Sequence, residues 1–181
     1  MRIVWGRGSA PSGPRLRRGK RGAGLLRKYS YRRILPHLQK DTRPIFVTFA
    51  TYERWHLPGP IRQIVLDSCL REHGRTIDLH AAVIMPDHAH LIFTPLRDGE
   101  GWPYSLPDIM RRLKGRAAHE INRALQRSGP VWQEGFFDHV LRCNESLAQK
   151  VEYICENPSR AGLIGDGESY RWVWQGKVPV I

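Results

Sequence analysis

Met85-Pro86-Asp87-His88-Ala89-His90-Leu91-Ile92-Phe93 is the stretch on which the fold turns. Two histidines at i and i+2 open an apolar run that reads as a β-strand. Successive side chains in a strand point to opposite faces, so His88 and His90 share one face with Ile92 and Thr94. Ala89, Leu91 and Phe93 point to the other, which is the expected core face. Upstream, Ile77, Leu79, Ala81 and Val83 alternate with Asp78 and His80, which predicts a partner strand. Met85-Pro86-Asp87 is a tight connection, so the two strands form a hairpin. A His-x-His pair occurs in many strands that hold no metal. On the open side of a sheet, however, paired imidazoles are a suitable seat for one.

Working outward, Ile45 to Tyr52 (IFVTFATY) is β-branched and aromatic, a good strand. Pro58 and Pro60 then introduce Ile61, Ile64, Val65, Cys69 and Leu70 at helical spacing, with Gly74 as the stop. Residues 95–104 are a polar loop. Ser105-Leu106-Pro107-Asp108 resembles a helix cap with an acid at its third position. Leu106, Ile109, Met110, Leu113, Ala117, Ile121 and Leu125 continue it as an apolar stripe, and six basic residues cover the rest. Among these, Lys114 is the first candidate for a phosphate contact, backed by Arg112 and Arg116; a merely solvated face is the ordinary alternative. Ser128-Gly129-Pro130 ends that helix, and residues 131–141 contain a short fourth strand. Ser146-Leu147-Ala148-Gln149 caps a last helix that Pro158 stops. The expected fold is therefore α+β: a ferredoxin-like βαββαβ antiparallel sheet with helices on one face, plus a C-terminal tyrosine-bearing helix.

Charge divides the chain. Of its 29 basic residues, twelve fall in residues 1–40, which hold no acid; residues 41–181 carry seventeen of each sign. The net charge of +12 thus belongs to a Gly-rich arm over residues 1–40, and residues 41–181 form one domain with enough apolar content for a core. The arm cannot bury enough surface to offset its ordering entropy and is read as flexible. A polyanion is its natural partner, with Arg17 and Arg18 in its densest part as candidate DNA contacts through counterion release. An Arg-rich, acid-free start also mimics an organelle transit peptide, but its Gly and Pro content opposes the amphipathic helix such a peptide needs. No apolar run reaches the ~18 residues of a membrane span. Cys69, Cys143 and Cys155 fit neither a disulfide framework nor a CxxC zinc site. The expected setting is the reducing cytoplasm, in association with the nucleoid.

The final helix buries Leu147, Val151 and Ile154. On a wheel of 100° per residue, Tyr153 lies roughly 120° off the centre of that face. Asn157, one turn on, shares the flank of Tyr153 together with Lys150. A boundary tyrosine with its hydroxyl in water is the ordinary reading of such a position.

MPDHAHLIF, WQEGFFDHVLR and YICENPSRAGLI, in that order, resemble the REP-associated tyrosine transposases. These belong to the single-strand transposases that carry a His-hydrophobic-His metal motif and a catalytic tyrosine. The resemblance spans about residues 44–175. It departs at the small Ala89, where bulkier apolar residues are common, and it assigns no role to the basic arm. It implies that Tyr153 attacks a phosphodiester in single-stranded DNA, forms a 5′-phosphotyrosine link and releases a 3′-hydroxyl. It further implies that His88 and His90 hold a divalent cation, Mg²⁺ or Mn²⁺, with Asn157 as candidate third ligand. The expected partners are hairpin-forming strands such as repetitive extragenic palindromes, bound by a monomer or a homodimer. Asp138 and His139 lie in the second motif with either a site role or a structural one.

Two alternatives stay open at this stage. One is a non-catalytic single-stranded nucleic-acid-binding module of ferredoxin-like fold, whose mark would be aromatic residues on the open sheet face. The histidine strand presents none there. The other is a metal-dependent phosphodiesterase with water as nucleophile.

Overall fold

The structure, a computed structural model, describes residues 43–142, 145–165 and 167–176. The arm over residues 1–40, with Arg17 and Arg18, lies outside the described residues.

The run of β-branched and aromatic residues at Ile45–Ala50 forms β1. α1 (Gly59–Glu72) has Pro60 in its first turn, where a fixed φ and a missing N–H cost nothing. β2 (Ile77–Ile84) and β3 (His88–Pro95) make the expected hairpin, tied at the turn by Met85 N donating to His88 O at 2.8 Å. α2 (Leu106–Ala124) starts at Ser105, whose hydroxyl accepts from Asp108 N at 3.2 Å. β4 (Phe137–Val140) and α3 (Leu147–Cys155) follow, then α4 (Asn157–Arg160) and β5 (Val173–Gln175).

The sheet runs β4-β1-β3-β2-β5 with every neighbour antiparallel. Its first four strands and two helical crossovers are the predicted ferredoxin-like unit. β5 is an addition that sequence reading missed; it pairs Val173 with Val83 and Gln175 with Ala81 on the free edge of β2.

One sheet face packs under α1 and α2. Ile45, Val47, Phe49, Ala89, Leu91 and Phe93 meet Ile61, Val65 and Cys69 from α1 and Ile109, Leu113, Ala117 and Ile121 from α2. Burial of each larger aliphatic or aromatic side chain here stabilises the fold by about 1.5–3 kcal/mol. The opposite face is only partly covered. Val151 and Ile154 of α3 settle on Ala81, Val83, Met85 and Ile92, so Ile92 is fully buried although it lies on the histidine face.

Two local expectations are corrected. The simple alternation predicted along β2 breaks at a bulge between Leu79 and Ala81. The extra residue shifts the register, so Leu79, Ala82 and Ile84 join the α1/α2 core while Ala81 and Val83 turn to α3. Pro158 does more than stop α3. α3 ends at Cys155, Glu156 stays in the right-handed region, and Pro158 then sits in the first turn of α4. A proline lacks only a donor that a new first turn leaves unpaired in any case. Among the described residues, no helix is long and apolar enough to cross a membrane.

Candidate active site

Strand register builds the floor of the site. On the face opposite α1 and α2, Thr48 of β1 lies between His90 of β3 and Phe137 of β4. In the next row Phe46 lies between Ile92 and His139. α3 and α4 form one wall of the resulting cleft, about 820 Å³, and bring Lys150, Tyr153, Asn157 and Arg160 to its lining beside His88 and His90. The predicted nucleophile, histidine pair and amide thus share one cleft.

His88 Nε2 and His90 Nε2 face each other at 3.1 Å. The second nitrogen of each ring is held. His88 Nδ1 lies 2.6 Å from Asp87 Oδ1, and Asp87 Oδ2 lies 2.9 Å from Arg54 Nε. His90 Nδ1 lies 2.8 Å from Thr48 Oγ1. A carboxylate only accepts, so His88 donates from Nδ1, and a ring with that tautomer turns a lone pair inward at Nε2. In the structure as it stands, that lone pair takes the Nε2–H of His90, and His90 Nδ1 accepts from the Thr48 hydroxyl. A hydroxyl can equally accept. Thr48 is therefore a partner that serves His90 in either tautomer, including the one with a free Nε2 lone pair.

Burial favours the neutral imidazole at His90. Burial, reinforced by His88, pushes His90 down to about 4. Partial burial works against ionisation of Asp87, but the hydrogen bond from His88, together with the charges of His88 and Arg54, outweighs it and leaves its carboxyl below the usual range. Phe46 stacks on the His90 ring, with centroids 5.7 Å apart and planes 22° from parallel, and fixes its tilt.

The donor set suits a divalent ion. The two Nε2 atoms, 3.1 Å apart, are near enough for both imidazoles to bind a single ion. Among the described residues, no group of three or more His, Cys, Asp and Glu side chains is placed to hold a metal. Among the described residues the cleft adds an amide, Asn157, as a candidate further ligand, and water or a phosphate oxygen can complete the set. That composition suits an open, catalytic seat better than a closed structural one.

Tyr153 is half exposed and lines the cleft. Two cations attend its ring. Lys150 Nζ lies 5.5 Å from the Tyr153 centroid and 5.5 Å from that of Phe46. The Arg160 guanidinium lies 4.4 Å from the Tyr153 centroid and is paired with Glu156.

Other candidates fall elsewhere. Arg112, Lys114 and Arg116 sit on α2, across the sheet from the histidines. Lys114 Nζ donates to Gln133 O at 2.9 Å and Gly135 O at 2.7 Å, and burial pushes its ammonium down to about 8. It anchors the turn before β4. Arg116 approaches the buried Glu72 at 3.9 Å, while Arg112 is exposed. Asp138 and His139 part company. Asp138 pairs with Val47 on the helix side, whereas His139 lines the cleft and donates from Nε2 to Glu145 at 3.0 Å. Sequence reading missed Phe46, Thr48, Phe137 and Arg160 as site residues. The alternation in IFVTFATY puts Phe46 and Thr48 on one face, but only the β1–β3 pairing reveals that it is the histidine face.

A family profile described as "Transposase IS200 like" matches residues 44–157, which contain the strands, the histidine pair and Tyr153. A Haemophilus influenzae protein provisionally named as a REP-associated tyrosine transposase is 26% identical over 89 residues, 46% of this chain and 51% of that protein. The REP-associated tyrosine transposase of Escherichia coli K12 is 26% identical over 93 residues, 51% of each chain. The chain therefore spans about half the length of the curated relatives it matches. A solved REP-associated tyrosine transposase, bound to a REP hairpin, superposes with a TM-score of 0.53 at 23% identity, covering 68% of this chain and 70% of that one, a likeness of fold.

Proposed function

The chain belongs to the IS200-like transposases, and from that premise we propose that it cleaves and rejoins single-stranded DNA with Tyr153 as nucleophile. The observation that carries this reading is convergence. Tyr153 from α3 and the His88–His90 pair from β3 line the same cleft, with Lys150 and Arg160 beside the phenol. A phenol of ordinary pKa near 10 is a poor nucleophile at neutral pH, and an anionic phosphodiester repels it further.

Lys150 and Arg160 hold the DNA phosphate near Tyr153 and offset that repulsion. Thr48 and Asp87 brace the imidazole rings with their Nε2 atoms 3.1 Å apart. His88, His90 and Asn157 would hold a divalent cation, Mn²⁺ or Mg²⁺, which when bound supplies charge neutralisation at the phosphate and orientation of the scissile bond. Tyr153 Oη bonds to phosphorus as the bond to the 3′ oxygen breaks, and the phenol proton passes by way of solvent to that departing oxygen. That oxygen leaves as a 3′-hydroxyl and the 5′ end stays on Tyr153. Attack by another 3′-hydroxyl reverses the step, so no external energy source is required. By analogy with the solved relative, the substrate strand folds into hairpins such as repetitive extragenic palindromes.

The non-catalytic binding reading gains one observation. β1 and β4 do place aromatic residues, Phe46 and Phe137, on the open face. A covalent-adduct assay separates the two. Labelled single-stranded hairpins incubated with protein and Mn²⁺ should yield a protein–DNA band on a denaturing gel, absent with chelator and in Tyr153→Phe. Binding without adduct over a broad panel of hairpins would leave the binding module standing; cleavage without adduct would indicate water as nucleophile.

A further inference from the structure

Phe136 and Phe137 enter β4 side by side and turn to opposite faces. Phe136 packs on the core beneath α1 and α2, so burial accounts for it. Phe137 has no such account, being 56% exposed. A lone exposed aromatic is unremarkable, as Trp102 shows at 67% on a polar loop. Phe137 is not alone. It meets Phe46 edge-on, with ring centroids 6.3 Å apart and planes at 66°, and Phe46 in turn stacks on His90. Its cross-strand partner is Thr48, the residue that holds His90. It lines the same cleft as Tyr153, Lys150 and Arg160.

We propose that Phe137 is a stacking platform for a base of the single strand held in the cleft, adjacent to the phosphate that Tyr153 attacks. This rests on the reading of the cleft as a single-strand site. A strand whose phosphate lies among Lys150, Arg160 and the histidine pair must place its neighbouring bases against a wall. The floor beneath the histidine row is already filled by Phe46, and α3 covers Ile92. Among the described residues lining the cleft, Phe137 and Tyr153 are the exposed rings, and Tyr153 is already flanked by Lys150 and Arg160, which leaves Phe137 open. Every base has a π-face, so this contact sets how firmly the strand is held and leaves sequence choice to other groups. The ring is carried on a strand paired along its length with β1, so its backbone is already ordered and stacking carries a smaller ordering cost than on a loop.

The test uses the full chain carrying Tyr153→Phe, so that binding is read without chemistry. Fluorescence anisotropy compares a labelled oligothymidylate with an abasic strand of equal length, which carries the same phosphates and lacks the bases. The platform predicts tighter binding of the thymidylate, by roughly 5- to 150-fold for one stacked base. Adding Phe137→Ala should remove most of that preference and leave abasic binding unchanged, while Phe137→Trp should keep it. A preference that survives Phe137→Ala overturns the proposal, as does equal binding of both strands or binding of neither. The exposed position makes a folding defect unexpected, and Phe137→Trp with a thermal melt of each variant checks this. The adduct assay is independent: an adduct without a Phe137-dependent preference keeps the chemistry and removes the platform, and the converse keeps the platform alone.

Discussion

The two faces of the sheet use the same strands and do different work. Under α1 and α2, residues 45, 47, 49, 89, 91 and 93 are dry, apolar and closely packed. One residue along, positions 46, 48, 88 and 90 line a cleft that α3 leaves open. Stability is concentrated on the first face, and the proposed chemistry falls on the second. The period of two lets one strand serve both without compromise, because a substitution on one face leaves the other largely untouched. His88 and His90 are affordable for this reason: the core does not depend on them.

That separation can be broken most sharply at adjacent positions in β3. His90→Ala should reduce adduct formation below detection while leaving the unfolding free energy within about 1 kcal/mol of wild type. Leu91→Ala, fully buried on the other face, should cost about 2–5 kcal/mol in urea denaturation and still form adduct at temperatures where it is folded. Equal loss of stability from both would mean that the histidine face carries the fold as well.

A finer probe is Thr48→Val, which removes the hydroxyl beside His90 and keeps the shape. Mn²⁺ affinity measured by calorimetry should drop roughly 10–100-fold, with little change in the melt. An unchanged affinity would remove Thr48 from the site's support.

Acid should strike the cleft face selectively. Burial holds His90 at about 4 and His80, bonded to Thr94 at 2.8 Å, below its ordinary 6.5. The folded state binds fewer protons than the unfolded one in this range. Stability is therefore full above 6.5, falls as the pH drops below it, and levels off only near the folded value, about 4 for His90. Denaturation curves between about pH 7 and pH 5 should show this loss in wild type, and His80→Gln should reduce it while the part due to His90 remains. Leu91→Ala should shift all curves alike.

The smallest effect belongs to the wall of the cleft. Ser146 caps α3 by accepting from Gln149 N at 3.3 Å. Ser146→Ala should cost about 1 kcal/mol and lower adduct yield through Tyr153 placement, read as a loss that substrate concentration does not rescue.

The histidine strand, the α1 and α2 stripes, and the caps at Ser105 and Ser146 were legible because each rests on local periodicity or a short-range hydrogen bond. The joint presence of Tyr153, His88 and His90 was legible through three ordered motifs. Pairing was not. β5 is three residues long and exists only because β2 offers an edge, and the bulge at Leu79/Ala81 has no sequence mark in β2. For the same reason Lys114 reads as a phosphate contact in sequence. Its two carbonyl partners lie 19 and 21 residues away, beyond the reach of any local pattern.

The claim that the open face is catalytic is tested most directly by identifying the residue to which DNA becomes attached. Adduct formed on a single-stranded hairpin is digested to peptides and nucleotides, and mass spectrometry locates the phosphate. The account predicts a nucleotide 5′-phosphate on Tyr153 in the α3 peptide. A phosphate on Tyr52, Tyr104, Tyr170 or any residue outside the cleft would contradict it.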